Sequence, residues 1–137
     1  MDIIVNYWAV VGGAIFLFVV GMIWYGPLFG KMWMRIMGVE NMSKEEMAKI
    51  QKQMMPMYAI QILLGLVTCY VLYHFVKAWA DVSGVQTAFW IWLGFSMPMA
   101  AGAMWDTQKG YAMKKFLITA GYQLITLLVL GYVFTLW

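Results

Sequence analysis

The chain has 137 residues, 64% of them hydrophobic and 11% charged, with a mean hydropathy of +0.76. Soluble domains carry roughly 25% charged residues, and a water-soluble core of this size cannot hide so much apolar surface. Composition therefore excludes a soluble enzyme or binding domain and implies a single membrane domain. The net charge of +3 and pI near 9.0 do not point to nucleic acid, because the basic residues flank apolar runs, as the positive-inside rule requires.

The first apolar run covers about residues 6–25, close to the ~20 residues that cross a bilayer. It lacks a basic leader, Asp2 being the only early charge, and it ends in Trp24 and Tyr25 rather than small residues. It reads as a retained span, not a signal peptide. The stretch "WYGPLFGKMWMRIMG" follows. Trp24 and Tyr25 mark an interface, and Pro27 removes a donor and disfavours helical angles at Gly26, so the span is expected to end there. Residues 31–37 form two helical turns, with Trp33, Ile36 and Met37 on one face, Lys31 and Arg35 on another, and Gly38 as C-cap. A further helix starts at Ser43, which forms an S-x-x-E capping box with Glu46. Its apolar stripe is Met47, Ile50 and Met54, set against Lys44, Glu45, Lys49 and Lys52. Residues 31–55 thus make an amphipathic interfacial elbow.

Pro56 fits the first turn of the second span, about 56–76. This span carries Gln61 and Thr68, the lone Cys69 and, near its far end, His74. A single cysteine excludes an intrachain disulfide and a Cys-based metal cluster, and an apolar setting makes it inert. His74 has no carboxylate or second His at i±4 and reads as structural. The third span, about 85–105, contains "GFSMPMAAGAMW". Pro98 kinks it, Ser96 can satisfy a freed carbonyl, and Gly94, Ala100, Ala101, Gly102 and Ala103 admit a close neighbour. Asp106 follows Trp105 at the interface, within reach of Lys31, Arg35 or Lys109. The fourth span, about 115–136, carries Thr119, Gln123 and Thr126, with Gly121 and Gly131 as small residues.

The loops set the orientation. Lys31, Arg35, Lys44, Lys49, Lys52, Lys109, Lys114 and Lys115 lie on one side and Lys77 alone on the other, so both termini face outward and both basic loops face the cytoplasm. Aromatic belts agree, with Tyr7, Trp8, Trp79, Trp90, Trp92 and Trp137 outward and Trp24, Tyr25, Trp33, Trp105 and Tyr111 inward. An internal echo is visible as well. Gly21 and Trp24 align with Gly102 and Trp105, and "QILLGLVTCYV" from Gln61 aligns with "QLITLLVLGYV" from Gln123, as in a duplicated two-helix hairpin. No Asp, Glu, Lys or Arg lies mid-span, which removes the usual mark of proton relays and coupled transport. Gln61 and Gln123 are expected to face other helices. The fourteen methionines suit Cu(I), but without supporting Cys or His they read as packing, so no metal or cofactor is expected.

The Asn-Tyr-Trp-Ala-Val opening, the Trp-Tyr-Gly-Pro-Leu-Phe-Gly-Lys stretch, the Trp105–Asp106 pair and Gly-Tyr-Gln at 121–123 resemble DUF1761, a family of small bacterial four-span membrane proteins of unknown function. The resemblance covers nearly the whole chain. It implies four spans and a bacterial cytoplasmic (inner) membrane, and it implies no activity.

The expected fold is all-α, a four-helix membrane bundle. Trp24, Gly26, Pro27, Lys31, Trp33, Arg35, Trp105, Asp106 and Lys109 are expected to form one inner-face corner, the first candidate site for a small or lipidic ligand. The sequence shows no nucleophile–base pair, paired carboxylates or metal-ligand set, so catalysis is not expected. The favoured function is a homo-oligomeric bundle, or one that binds lipids or another membrane protein. The alternative is a small transporter or channel lined by Gln61, Ser96, Gln123 and Thr126.

Overall fold

The computed structural model describes residues 2–106 and 110–137, except the side chain of Asp106. All its regular elements are helical. Helix α1 (Tyr7–Ile23) is capped by the Asn6 side chain, which accepts from the backbone N–H groups of Trp8 and Ala9. A π-turn (Trp24–Leu28) follows, then α2 (Gly30–Met37). Helix α2 stops at Gly38, whose left-handed φ of 73° makes it the C-cap expected from sequence.

Helix α3 (Lys44–Ala78) differs from the expectation. The Ser43–Glu46 capping box is present in both directions, with the Glu46 amide donating to Ser43 Oγ and the Ser43 amide to Glu46 Oε2. The helix that it opens runs for 35 residues straight through Pro56. The part of the elbow after Ser43 is thus not a helix of its own, and there is no new start at Pro56. One missing amide removes one ladder bond, and the turns on either side hold the helix across the gap. At 1.5 Å per residue the helix is roughly 52 Å long, well beyond a hydrocarbon layer of about 30 Å.

The third apolar region is an unbroken helical run of changing pitch: α4 (Gly84–Ile91), a second π-turn (Trp92–Ser96), α5 (Met97–Gly102) and a 3-10 turn (Ala103–Asp106). Pro98 sits in the first turn of α5, where its missing donor costs least. Helix α6 (Ala112–Leu136) closes the chain. Among the described residues, three helical segments are long and apolar enough to cross a membrane: 7–28, α3 and α6.

The neighbouring pairs α1–α3 and α4–α6 are antiparallel: Gly13 meets Cys69 where Gly65 meets Ala14 and Leu17, and Gly84 meets Gly131 where Trp92 meets Ala120. At one end the Tyr73 hydroxyl donates to the Trp137 carbonyl (2.8 Å), and the Gly84 amide donates to Thr135 Oγ1 (3.1 Å). The core lies in this termini end: Ala14, Cys69, Leu72, Tyr73, Leu130 and Phe134 pack together there. Gly13 makes room for it, since a Cβ would stand 2.9 Å from Cys69 Sγ and 3.0 Å from the Phe134 ring. Gly84 and Gly131 face each other so closely that a Cβ on either would overlap the other's carbonyl oxygen. The opposite end, which carries the basic loops, is built differently.

Candidate functional site

At the basic end, Pro27 has no amide to give the turn before it. The chain widens instead, and the Phe29 amide reaches back five residues to the Trp24 carbonyl (3.0 Å). The helix is carried past the proline rather than ended by it. The Trp24 indole points into the bundle, and its Nε1–H donates to the Ile118 carbonyl of α6 (2.9 Å). Gly121 lies beneath that ring, where a Cβ would meet it at 3.4 Å.

Aromatic rings fill the rest of the corner. Trp24 packs on Phe29 at 4.9 Å, and Tyr25 packs edge-on to Trp33 at 4.7 Å and against Tyr122 at 5.6 Å. The Tyr122 hydroxyl donates to the Leu17 carbonyl (2.6 Å), across the gap left open by Gly21. Ile36 of α2 is buried. In a medium without water these donors need partners, and most of them take backbone carbonyls.

Only part of the expected corner assembles. Trp24 joins it through Phe29 and Tyr122, Trp33 joins it through Tyr25, and Pro27 shapes it. Gly26 permits no close approach, since nothing lies within 4 Å of its would-be Cβ. Trp105 is 90% exposed, and nothing lies within 4 Å of Gly102 either, so the second Gly-x-x-Trp is not equivalent to the first. Lys31 is exposed. Arg35 is spent on Glu40 (3.1 Å), an exposed pair of small value. The Asp106 side chain and Lys109 lie outside the described residues.

The structure supplies a different partner for Trp24. Trp92, expected toward the outer boundary, is half-buried, and its Nε1–H donates to the Ala120 carbonyl (2.9 Å). Each π-turn thus begins with a Trp-x-Gly sequence, Trp24-Tyr25-Gly26 or Trp92-Leu93-Gly94, and each indole binds a carbonyl on the same stretch of α6. That short repeat was the legible signal, and the longer alignment obscured it.

The intramembrane polar residues do not converge on one path. The Thr126 hydroxyl is buried and donates to the Tyr122 carbonyl of its own helix (2.7 Å). Gln123 Oε1 is buried without a partner among the described residues. Gln61 is exposed, against the expectation that it faces the bundle, so the two glutamines are not equivalent. Thr68 donates to the Leu64 carbonyl (2.9 Å), and His74 Nδ1 lies 2.8 Å from the Tyr70 carbonyl.

Two open grooves flank α3. One of about 290 Å³ lies against the third helical region and is lined by Val67, Thr68, Val71, Phe75, Ile91 and Ser96. The other, about 460 Å³, separates α3 from α1 near the basic end and is lined by Phe18, Met22, Gln51, Lys52, Met55 and Tyr58. Between them residues 51–64 are exposed on every side of the helix, and Gly65 is the first buried residue along α3.

These features define an all-helical protein whose long apolar helices suit a membrane, with an aromatic corner at one end and one long helix exposed over the half nearer that end. The chain belongs to the DUF1761 family, described as a protein of unknown function, whose model matches residues 8–135. Neither the curated proteins nor the solved structures contain a match to it.

Proposed function

We propose that this is a four-span protein of a bacterial inner membrane, with both termini outside, that acts by lateral association within the membrane rather than by catalysis. The fourth crossing is the helical run over 84–106, roughly 34 Å at helical rise. The eight-to-one distribution of Lys and Arg supports the orientation. The observation that carries the reading is the state of residues 51–64. Nearly four turns of mostly apolar helix stay exposed, with only Phe18 and Met22 of α1 across an open groove from Met55 and Tyr58, and they hold the amide of Gln61 at membrane depth. Acyl chains cannot hydrogen-bond that amide, whereas a neighbouring protein helix can.

The test is the protein mass per particle after extraction from membranes directly into polymer-bounded lipid discs. Association requires a mass above the 15.7 kDa of one chain. Particles holding one chain and no other protein, over a range of expression levels, overturn the reading.

A further inference from the structure

The exposed half of α3 carries a pattern that identifies its partner. In the charged first third of the helix, where apolar residues are few, Met47, Ile50 and Met54 fix a phase of alternating three- and four-residue steps. The same steps continue without a break into the apolar part: Met57, Gln61, Leu64, Thr68, Val71 and Phe75. This is the a/d repeat of a left-handed coiled coil, sustained over four heptads with Met47, Met54, Gln61, Thr68 and Phe75 at a. From Met54 onward every residue of the stripe is exposed. The buried residues of α3, Gly65, Cys69, Leu72, Tyr73 and Val76, lie on another face, and Thr68, Val71 and Phe75 of the stripe line the open groove toward the third helical region. Lys49 and Lys52 fall at c and f, turned away from the seam.

We infer that a second copy of this chain covers the stripe, α3 lying parallel and in register against α3 of its partner about a twofold axis along the membrane normal. The inference rests on the lateral association proposed above and names its partner and surface. Lipid alone does not fit the stripe. The helix is continuous, so its first third cannot fold down onto the membrane surface while the rest spans the bilayer. Acyl chains cover about 30 Å, and the apolar stripe goes on past the apolar run into the charged third. An identical helix has the same length, the same apolar-to-charged transition and the same two polar a positions. Every copy inserts with the same orientation, so the pair is parallel, and a twofold axis brings Gln61 onto the partner's Gln61. A primary amide both donates and accepts, so each satisfies the other, and one polar a position fixes the register. Free thiols do not confuse the test, because Cys69 is buried.

The experiment uses full-length chains with single cysteines in a Cys69→Ser background, cross-linked by oxidation in native membranes, each variant first shown to retain the parent's melting temperature. Met54→Cys, Met57→Cys and Gln61→Cys should give disulfide-linked dimers at least tenfold faster than Met55→Cys and Leu63→Cys, which sit off the seam. Gln61→Leu should broaden the pattern to neighbouring registers. Equal cross-linking at Met55 and Leu63, or none at the seam, overturns the inference. If the disc particles then still hold a second, different protein, lateral association stands without self-pairing. If they hold one chain, both fall.

Discussion

The contact between α4 and α6 gives the sharpest test of the packing. Gly131 and Gly102 look alike in the sequence, each a small residue in an apolar helix. In the structure a Cβ at Gly131 overlaps the backbone of Gly84 and meets Ala88 Cβ at 2.8 Å, whereas nothing lies within 4 Å of Gly102. The obstruction at Gly131 is backbone, which cannot rotate away, so Gly131→Ala must push the helices apart. Overpacking costs about 1–3 kcal/mol, and an unyielding neighbour puts this case at about 3. Separation also stretches the 3.1 Å bond from the Gly84 amide to Thr135, worth about 0.6 kcal/mol in a membrane. Alanine returns about 1 kcal/mol of helix propensity. The net expectation is a loss of about 2–3 kcal/mol for Gly131→Ala, against a gain of up to about 1 kcal/mol for Gly102→Ala. The gap of about 3 kcal/mol is two orders of magnitude in the unfolding constant. Reversible unfolding in mixed dodecylmaltoside–SDS micelles, followed by tryptophan fluorescence, reads it directly. A Gly131→Ala protein as stable as the Gly102→Ala protein would refute the close α4–α6 approach.

The two indoles at the ends of the Gly-x-x-Trp sequences should also behave differently. Trp24→Phe removes the bond to Ile118 and should cost about 0.6 kcal/mol, at most about 1.7, while Trp105→Phe should stay within about 0.5 kcal/mol of the parent; equal effects in the same unfolding assay would restore the symmetrical corner. Pro27→Ala restores an amide, and we expect the wide turn to tighten by one residue and rotate α2 by roughly 100°. Ile36→Cys, 5% exposed at that site in the native turn, should then react readily with maleimide in a Pro27→Ala, Cys69→Ser background and slowly without Pro27→Ala; equal protection in both would show that the proline does not hold the turn open.

Local hydrogen bonds made parts of this fold readable from sequence. The Ser43–Glu46 box and the Gly38 cap need only neighbouring residues, and both appear where the residue types place them. The apolar runs were legible for the same reason that they are long. The proline sites misled in a consistent way. Pro27 and Pro56 each remove one donor, but the turns around them continue, by a π-turn at Pro27 and by plain extension at Pro56. Steric rules for one residue do not weigh that loss against the cooperativity of two joined helices. The direction in which each helix faces was the least legible feature. A helix that is apolar all round has no contrast from which to read its inner face. The residues therefore place Gln61 toward the bundle and Trp105 in the corner, whereas the structure exposes both. Only the charged third of α3 has contrast, and there the phase of Met47 and Ile50 was visible from the start.

The two indole bonds explain how α3 can stand free while the rest of the basic end stays assembled. At the termini end four helical regions share one core, including the Cys69–Tyr73 face of α3. Below Gly65, α3 leaves that core, and α1, the third region and α6 must hold together without it. Trp24 and Trp92 reach α6 from two different helices and bind carbonyls only two residues apart. A carbonyl has two lone pairs, so each can accept an indole without giving up its place in the helix ladder. Tyr122 adds a third tie, from α6 back to Leu17 of α1. None of the three ties involves α3. Occupying the free half of α3 therefore requires no rearrangement of the other helices, which is the condition for a preformed surface that a second copy can meet as a rigid body.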